Sequence, residues 1–212
     1  RPSFPFAVLA AGRLGAGMMD FGSDLDLVFI YECPGDADAD APCHAVAIAQ
    51  RISALLTGGG GPIKVYDVDA RLRPEGGNAP LAVSLEKFRR YLKGRAVEWE
   101  RLALIRTRQV AGDRRLGNLA METIHAFCYG PPLPAEGVMR IREIRNTMID
   151  QSRTRHAGAV NVKSGAGGIA DITFIAQTLA ITHGEMHPEL RHPKTPDILD
   201  ALADAGIMQK SD

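Results

Sequence analysis

The chain has 212 residues, 45% hydrophobic and 24% charged, close to the average for folded soluble proteins, which excludes a disordered tail, a collagen-like fibre and a disulfide-stapled miniprotein. Lys and Arg total 25, as do Asp and Glu, so the formal charge is zero and the global basic excess of a nucleic-acid binder is absent. Cys33, Cys43 and Cys128 make an odd count without CxxC spacing, which points to a reducing compartment. No apolar run approaches the roughly 18 residues that cross a bilayer. The sequence opens on Arg1 and shows no signal-peptide pattern. It reads as an excerpt of a longer cytoplasmic polypeptide with neither a membrane nor a nucleic-acid partner.

Residues 6–10 (FAVLA) form a short apolar run ahead of Gly12, Gly15 and Gly17, a buried strand feeding a tight turn. Residues 26–31 (DLVFIY) predict a second strand. Residues 33–42 (CPGDADADAP) are polar and alternately acidic, a surface loop. Apolar residues at 45, 48, 52, 55 and 56 recur with helical spacing up to the glycine run 58–61. Residues 63–73 (IKVYDVDARLR) alternate as a third strand that Pro74 stops. Beyond Ser84 the pattern turns helical over 85–92, 97–108, 137–155 and 169–182, with a weaker helix over 196–205. Strands therefore crowd the first 75 residues. The fold class expected is α+β, a catalytic domain over 1–130 followed by a helical domain over 135–212 that is cut short at its C-terminal end. The proline-rich stretch 130–134 is their boundary.

The chemistry concentrates in Gly22-Ser23-Asp24-Leu25-Asp26-Leu27. Residues two apart in a strand share a face, so Asp24 and Asp26 project together while Leu25 and Leu27 pack behind them. Carboxylates held that close repel unless neutralised, and Mg²⁺ is bound by one or two carboxylates together with phosphate oxygens. On the third strand Asp67, Asp69, Arg71 and Arg73 fall on one face. A carboxylate there, Asp67 or Asp69, completes a candidate metal set, and the two arginines offer planar forks to phosphate. Three carboxylates, two arginines and a glycine turn describe a two-metal phosphoryl or nucleotidyl transfer site. The ordinary alternative for an isolated Asp-x-Asp is a solvated turn. The glycines of residues 12–17 run G-x-x-G-x-G with no Walker lysine after them, so this stretch serves equally as a phosphate cradle or as a plain strand-to-helix turn.

Four segments, AAGRLGAGMMDFGSDLDLVFIY, YDVDARLRPEGGNAPLAVSLEKFRRYL, EWERLALIRTRQVAGD and VKSGAGGIADITFIAQ, lie in order from about residue 8 to 180. Together they closely resemble the glutamine synthetase adenylyltransferase/deadenylase family of polymerase-β-like nucleotidyltransferases. The resemblance implies a polymerase-β-like lobe in which Asp24, Asp26 and Asp69 are the catalytic, metal-binding carboxylates. It implies nucleotide contacts from Gly12, Arg13, Gly15, Ser23, Arg71 and Arg73, and a supporting Trp99-Glu100-Arg101 element. Mg²⁺ or Mn²⁺ is the implied cofactor, ATP the substrate, a tyrosine of glutamine synthetase the acceptor, and a PII-type signalling protein a regulatory partner. The family carries an adenylylating module and one that removes AMP by phosphorolysis, giving ADP. The details VDARLRP, the acidic loop and DALADAGIM resemble the carboxy-terminal, adenylylating one. A module that binds nucleotide or a partner without turnover is the alternative from another class.

The chain departs from the family pattern at Arg13, where lysine is usual, and at Thr173, where an acidic residue is usual. Lys163 and Asp171 match a glycine-bearing motif ahead of a helix, either a phosphate seat or a structural turn. Trp99, the single tryptophan, is expected in the core. His183, His187 and His192 are loosely spaced, and Cys33 and Cys43-His44 lack zinc spacing. Arg140, Arg142 and Arg145 read as a solvated helix face opposite Ile141, Ile144 and Met148.

Overall fold

The computed structural model describes residues 4–33, 40–59, 66–155 and 161–209. It is an α+β chain with one mixed sheet and eight α-helices among the described residues. It divides into two compact units, Arg1–Ala96 with Arg106–Phe127, and Val97–Ile105 with Cys128–Asp212.

The sheet of the first unit is built around β1 (Phe6–Ala10) and β2 (Leu25–Tyr31). They pair antiparallel from Phe6 opposite Tyr31 to Ala10 opposite Leu27. Phe6, Val8, Ala10, Leu27, Phe29 and Tyr31 share one face and pack with Ala41, Ala45 and Ala49 of α2 (Ala41–Leu56). Alanine at every fourth position lets that helix approach the strands closely. Ala7, Leu9, Val28 and Ile30 on the opposite face are also fully buried, which explains why both strands read as unbroken apolar runs. β3 (Val68–Asp69) and β4 (Ala82–Ser84) pair parallel with the beginning and the end of β2. β5 (Arg108–Gly112) pairs antiparallel with the other edge of β1, with a bulge between Val8 and Leu9.

The elements correct the sequence expectations in several places. The third strand is two residues long, so Arg71 and Arg73 lie beyond it and do not share its face; residues 63–65 of that expectation lie outside the described residues. The helix expected over 97–108 stops early as α4 (Glu98–Leu104) and gives way to β5. β4 and β5 therefore carry strand structure past residue 75. α2 begins at Ala41, inside the expected loop, because Pro42 suits a first turn; residues 34–39 of that loop are outside the described residues. Two further helices complete this part of the chain. α3 (Leu85–Gly94) is capped by the Ser84 hydroxyl, which accepts the Lys87 N–H. α5 (Arg114–Tyr129) has no counterpart in the sequence reading. Its signals are Asp113, whose Oδ1 accepts the Leu116 N–H at 2.8 Å, and the buried stripe Leu116, Ala120, Ile124 and Cys128.

The second unit packs α4, α6 (Ala135–Arg155), α7 (Ile169–His183) and α8 (Thr195–Asp204) on one another. Glu100 Oε2 accepts the Val97 N–H at 2.9 Å, closing the start of α4. Arg101 is buried, and its guanidinium donates to the carbonyl oxygens of Cys128 at 2.5–3.0 Å and Pro131 at 2.7 Å. Trp99, expected in the core, is 45% exposed: so short a helix turns one face inward, and Arg101, Leu102 and Leu104 occupy it. No helix among the described residues is long and apolar enough to cross a membrane.

Candidate active site

The chain leaves β1 through Ala11, whose N–H donates to the Asp26 carbonyl at 2.9 Å, and enters a single helical turn, α1 (Gly12–Gly15). Gly12 has φ +55, and a Cβ on it would overlap the Oδ2 of Asp26. The Asp26 carboxylate thus lies directly against the backbone of the turn, an approach that only glycine permits. A Cβ on Gly15 would overlap the carbonyl oxygens of Arg106 and Ala10. The Arg108 guanidinium donates to the carbonyls of Leu14 and Gly15 at 3.0–3.3 Å, holding the end of the turn to β5.

Ser23 joins this turn to the loop ahead of β2. Its Oγ accepts the Arg13 guanidinium at 3.2 Å and the Asp20 N–H at 3.1 Å, while its own N–H donates to the Asp20 carbonyl. The loop then delivers Asp24 at the start of β2. Leu25 N–H donates to the Asp67 carbonyl at 2.7 Å, and the parallel register places Asp26 beside Asp69. Burial, then the charges of Asp69 and Asp24, hold the Asp26 carboxyl above the usual carboxylate range. Asp69 is shifted the other way, below that range, because Arg71 grips it. The Arg71 Nε lies 3.0 Å from both carboxylate oxygens, and Nη2 lies 2.5 Å from Oδ2. Arg73, the second arginine of the RLRP motif, turns inward and donates to the carbonyls of Ala70, Gly77 and Ala79.

Gly12, Asp24, Asp26, Asp69 and Arg71 therefore meet at one place, with Arg13 and Ser23 hydrogen-bonded alongside, Gly15 at the end of the turn, and Arg73 directed at backbone. No group of three His, Cys, Asp or Glu side chains among the described residues is gathered tightly enough to hold a metal ion as it stands. The donor chemistry nevertheless suits a hard divalent cation. The acids are oxygen donors, Asp69 and Asp24 raise the proton affinity of Asp26, and a positive charge, the Arg71 fork, already rests on Asp69.

The family model for glutamate-ammonia ligase adenylyltransferase matches residues 1–123. The chain belongs to that family. A second model, for GlnD PII-uridylyltransferase, matches residues 142–212. The chain is 36% identical over 224 residues to the bifunctional glutamine synthetase adenylyltransferase/adenylyl-removing enzyme of Stenotrophomonas maltophilia, covering 98% of this chain and 23% of that protein. It is 37% identical over 209 residues to the like-named enzyme of Mycobacterium avium (95% and 20%). The one from Chromobacterium violaceum is 35% identical over 206 residues (97% and 22%). The chain thus spans about a fifth to a quarter of the length of these relatives.

Elsewhere in this member of the adenylyltransferase family, the glycine-bearing motif ahead of α7 is closed on itself. The N–H groups of Ile169, Ala170 and Asp171 donate to the carbonyls of Val162, Lys163 and Gly168, and Asp171 Oδ2 accepts the Gly167 N–H at 2.6 Å. Arg145, expected on a solvated face, is 5% exposed. Its Nε meets Asp171 Oδ1 at 2.7 Å, and its other nitrogens meet the carbonyls of Ser164 and Gly165 at 2.9–3.1 Å. The motif is a clasp between α6 and α7. A buried arginine on an otherwise polar helix gives no periodic signal; its partner Asp171 was the legible half. His187 Nδ1 lies 2.8 Å from Glu189 Oε1.

Proposed function

We propose that this chain is a nucleotidyl-transfer module that moves AMP from ATP to a tyrosine hydroxyl of glutamine synthetase. The observation that carries the proposal is the seating of Asp26 against Gly12 with Asp24 and Asp69 beside it. An acidic pair on adjacent strands, facing a turn without side-chain bulk, lets a phosphate chain come close to the backbone while its charge is balanced. The phenolic oxygen attacks the α-phosphorus, the bond to the pyrophosphate oxygen breaks, and the phenol proton passes to solvent. Gly12 and Gly15 leave the approach clear, Arg13 and Ser23 bind phosphate oxygens, and Arg71 exchanges Asp69 for phosphate. Arg73 fixes the segment after β3 and so positions its neighbours. Asp24, Asp26 and Asp69 are the residues that would hold Mg²⁺ or Mn²⁺; such an ion neutralises phosphate charge and lowers the pKa of the attacking hydroxyl. In this reading the first unit is a polymerase-β-like catalytic lobe within residues 1–130, and residues 135–212 form a helical lobe. A PII-type protein is the regulatory partner that the second family match suggests.

The relatives' double name supports a second reading for the same residues. In it, inorganic phosphate attacks the phosphorus of AMP-tyrosine, the tyrosine oxygen leaves, and ADP forms. The VDARLRP and DALADAGIM details favour the adenylylating direction.

Intact-mass measurement of glutamine synthetase separates the readings. Gain of one AMP per subunit with ATP and Mg²⁺, lost in Asp24→Ala and Asp26→Ala, is the expected result. Loss of AMP from modified target with phosphate present assigns the removing direction. Silence in both directions from a folded chain assigns a binding module without turnover.

A further inference from the structure

Away from the acidic trio, a cavity of about 800 Å³ opens within the first unit, between α2, β4, α3 and the segment that follows Arg73. Asp26 lies near the start of β2 and Tyr31, which lines the cavity, at its end. At the rise of a strand the two are roughly 17 Å apart. The walls are largely apolar, with Val46 and Ala47 on α2, Val83 on β4, and Pro74 and Pro80 on the segment after Arg73. A cavity of this size, apolar with a few polar groups, has the character of a small-molecule site.

Its polar groups come from two neighbouring elements. Tyr31 is 5% exposed, and its hydroxyl makes no hydrogen bond among the described residues. Unlike the Thr107 hydroxyl, that oxygen is not sealed from solvent, so a molecule in the cavity can reach it. A phenol buried this deeply ordinarily has a partner. The parallel register of β4 on β2 sets Tyr31 beside Ser84, whose hydroxyl accepts the Lys87 N–H at the start of α3. Ser84 and Lys87 both line the cavity, so the first turn of α3, which favours negative charge, opens on it. The Lys87 ammonium has no hydrogen bond or ion pair among the described residues. The other cations of the lining are engaged, Arg95 by Glu75 at 2.6 Å and Arg90 by Glu86.

We propose that this cavity binds a small molecule with an apolar body and one carboxylate. The body lies along Val46, Ala47 and Val83, and the carboxylate accepts hydrogen bonds from the Tyr31 hydroxyl and the Lys87 ammonium at the start of α3. A single uncommitted cation matches a single negative charge, which a carboxylate carries and a phosphate ester exceeds. Cys43 on α2 lines the same cavity and is exposed, so its reactivity reports on occupancy. The site is independent of the nucleotidyl-transfer reading, since no residue of the acidic trio or the glycine turn lines it.

The test measures binding of octanoate to the intact chain by equilibrium dialysis, with octanol and octylammonium as neutral and cationic counterparts of the same length. Octanoate is expected to bind about tenfold more tightly than either. Lys87→Gln and Tyr31→Phe are each expected to weaken octanoate about tenfold and to leave octanol unchanged. Ala47→Phe, which fills the cavity, is expected to abolish binding of both. In parallel, octanoate is expected to slow iodoacetamide labelling of Cys43 in the unaltered chain, read by peptide mass. That arm decides the matter should a variant fail to fold. No saturable octanoate binding, equal affinity for the three compounds, undiminished octanoate binding by Lys87→Gln, or absence of protection at Cys43 overturns the proposal.

Discussion

Asp26 is held in a place that works against its own charge. Its folded-state pKa lies above the ordinary value through burial and through Asp69 and Asp24, so ionisation opposes folding at pH values above that raised pKa and ceases to do so as the pH falls through it. Asp26→Asn is therefore expected to melt higher than the parent near neutral pH, on the order of 2–4 °C. The gap should narrow on acidification, and AMP transfer should fall by a factor on the order of 10²–10³. A variant that melts lower and is equally inactive would show that Asp26 serves the fold. Gly12 is the complementary position. Its left-handed φ and the Asp26 oxygen on its Cα leave no space for a methyl group, so Gly12→Ala should lose more than about 1 kcal/mol. Urea unfolding of Gly12→Ala, alone and with Asp26→Asn, checks that the two positions are coupled.

Among elements, the clasp between α6 and α7 has the clearest energetic consequence. Arg145→Met removes a buried fork from Asp171 and from two carbonyls. A loss of about 2–3 kcal/mol is expected, below the range for a fully buried pair because water reaches part of Asp171. Denaturant titration measures it, and an unchanged midpoint would make the clasp incidental. The same elements show where sequence patterning carries information. β1 and β2 were legible because both faces are buried, and Asp24, Asp26 and Asp69 because a two-residue period brings acids together. Arg73 was legible as a motif residue, but its inward turn depends on where β3 stops, and that is a matter of pairing with β2. β5 was hidden inside a helical pattern because its strand character comes from the open edge of β1. α5 is only faintly marked in the sequence, by Asp113 and a four-residue apolar stripe that polar and small residues interrupt. The burial of Arg145 is not legible in its own helix, since it is decided by a loop twenty residues downstream.

At the scale of the whole molecule, the cysteines report on intactness. Burial pushes the Cys128 thiol up to about 12, so it stays protonated and shielded, whereas Cys43 is exposed on α2. Iodoacetamide near pH 8 should label Cys43 in the native chain and reach Cys128 only after unfolding; rapid native labelling of Cys128 would contradict its placement. A longer-range consequence follows from β1 lying between β2 and β5. The second of these partners is about a hundred residues distant in sequence, and a segment of the other unit is threaded between. A nascent chain that has emerged only as far as Ala96 holds the turn and all three aspartates, yet it presents β1 with a bare, apolar edge. The ribosome must deliver the strand that protects the sheet last, and until then the half-made unit is a template for pairing with its neighbours on the polysome.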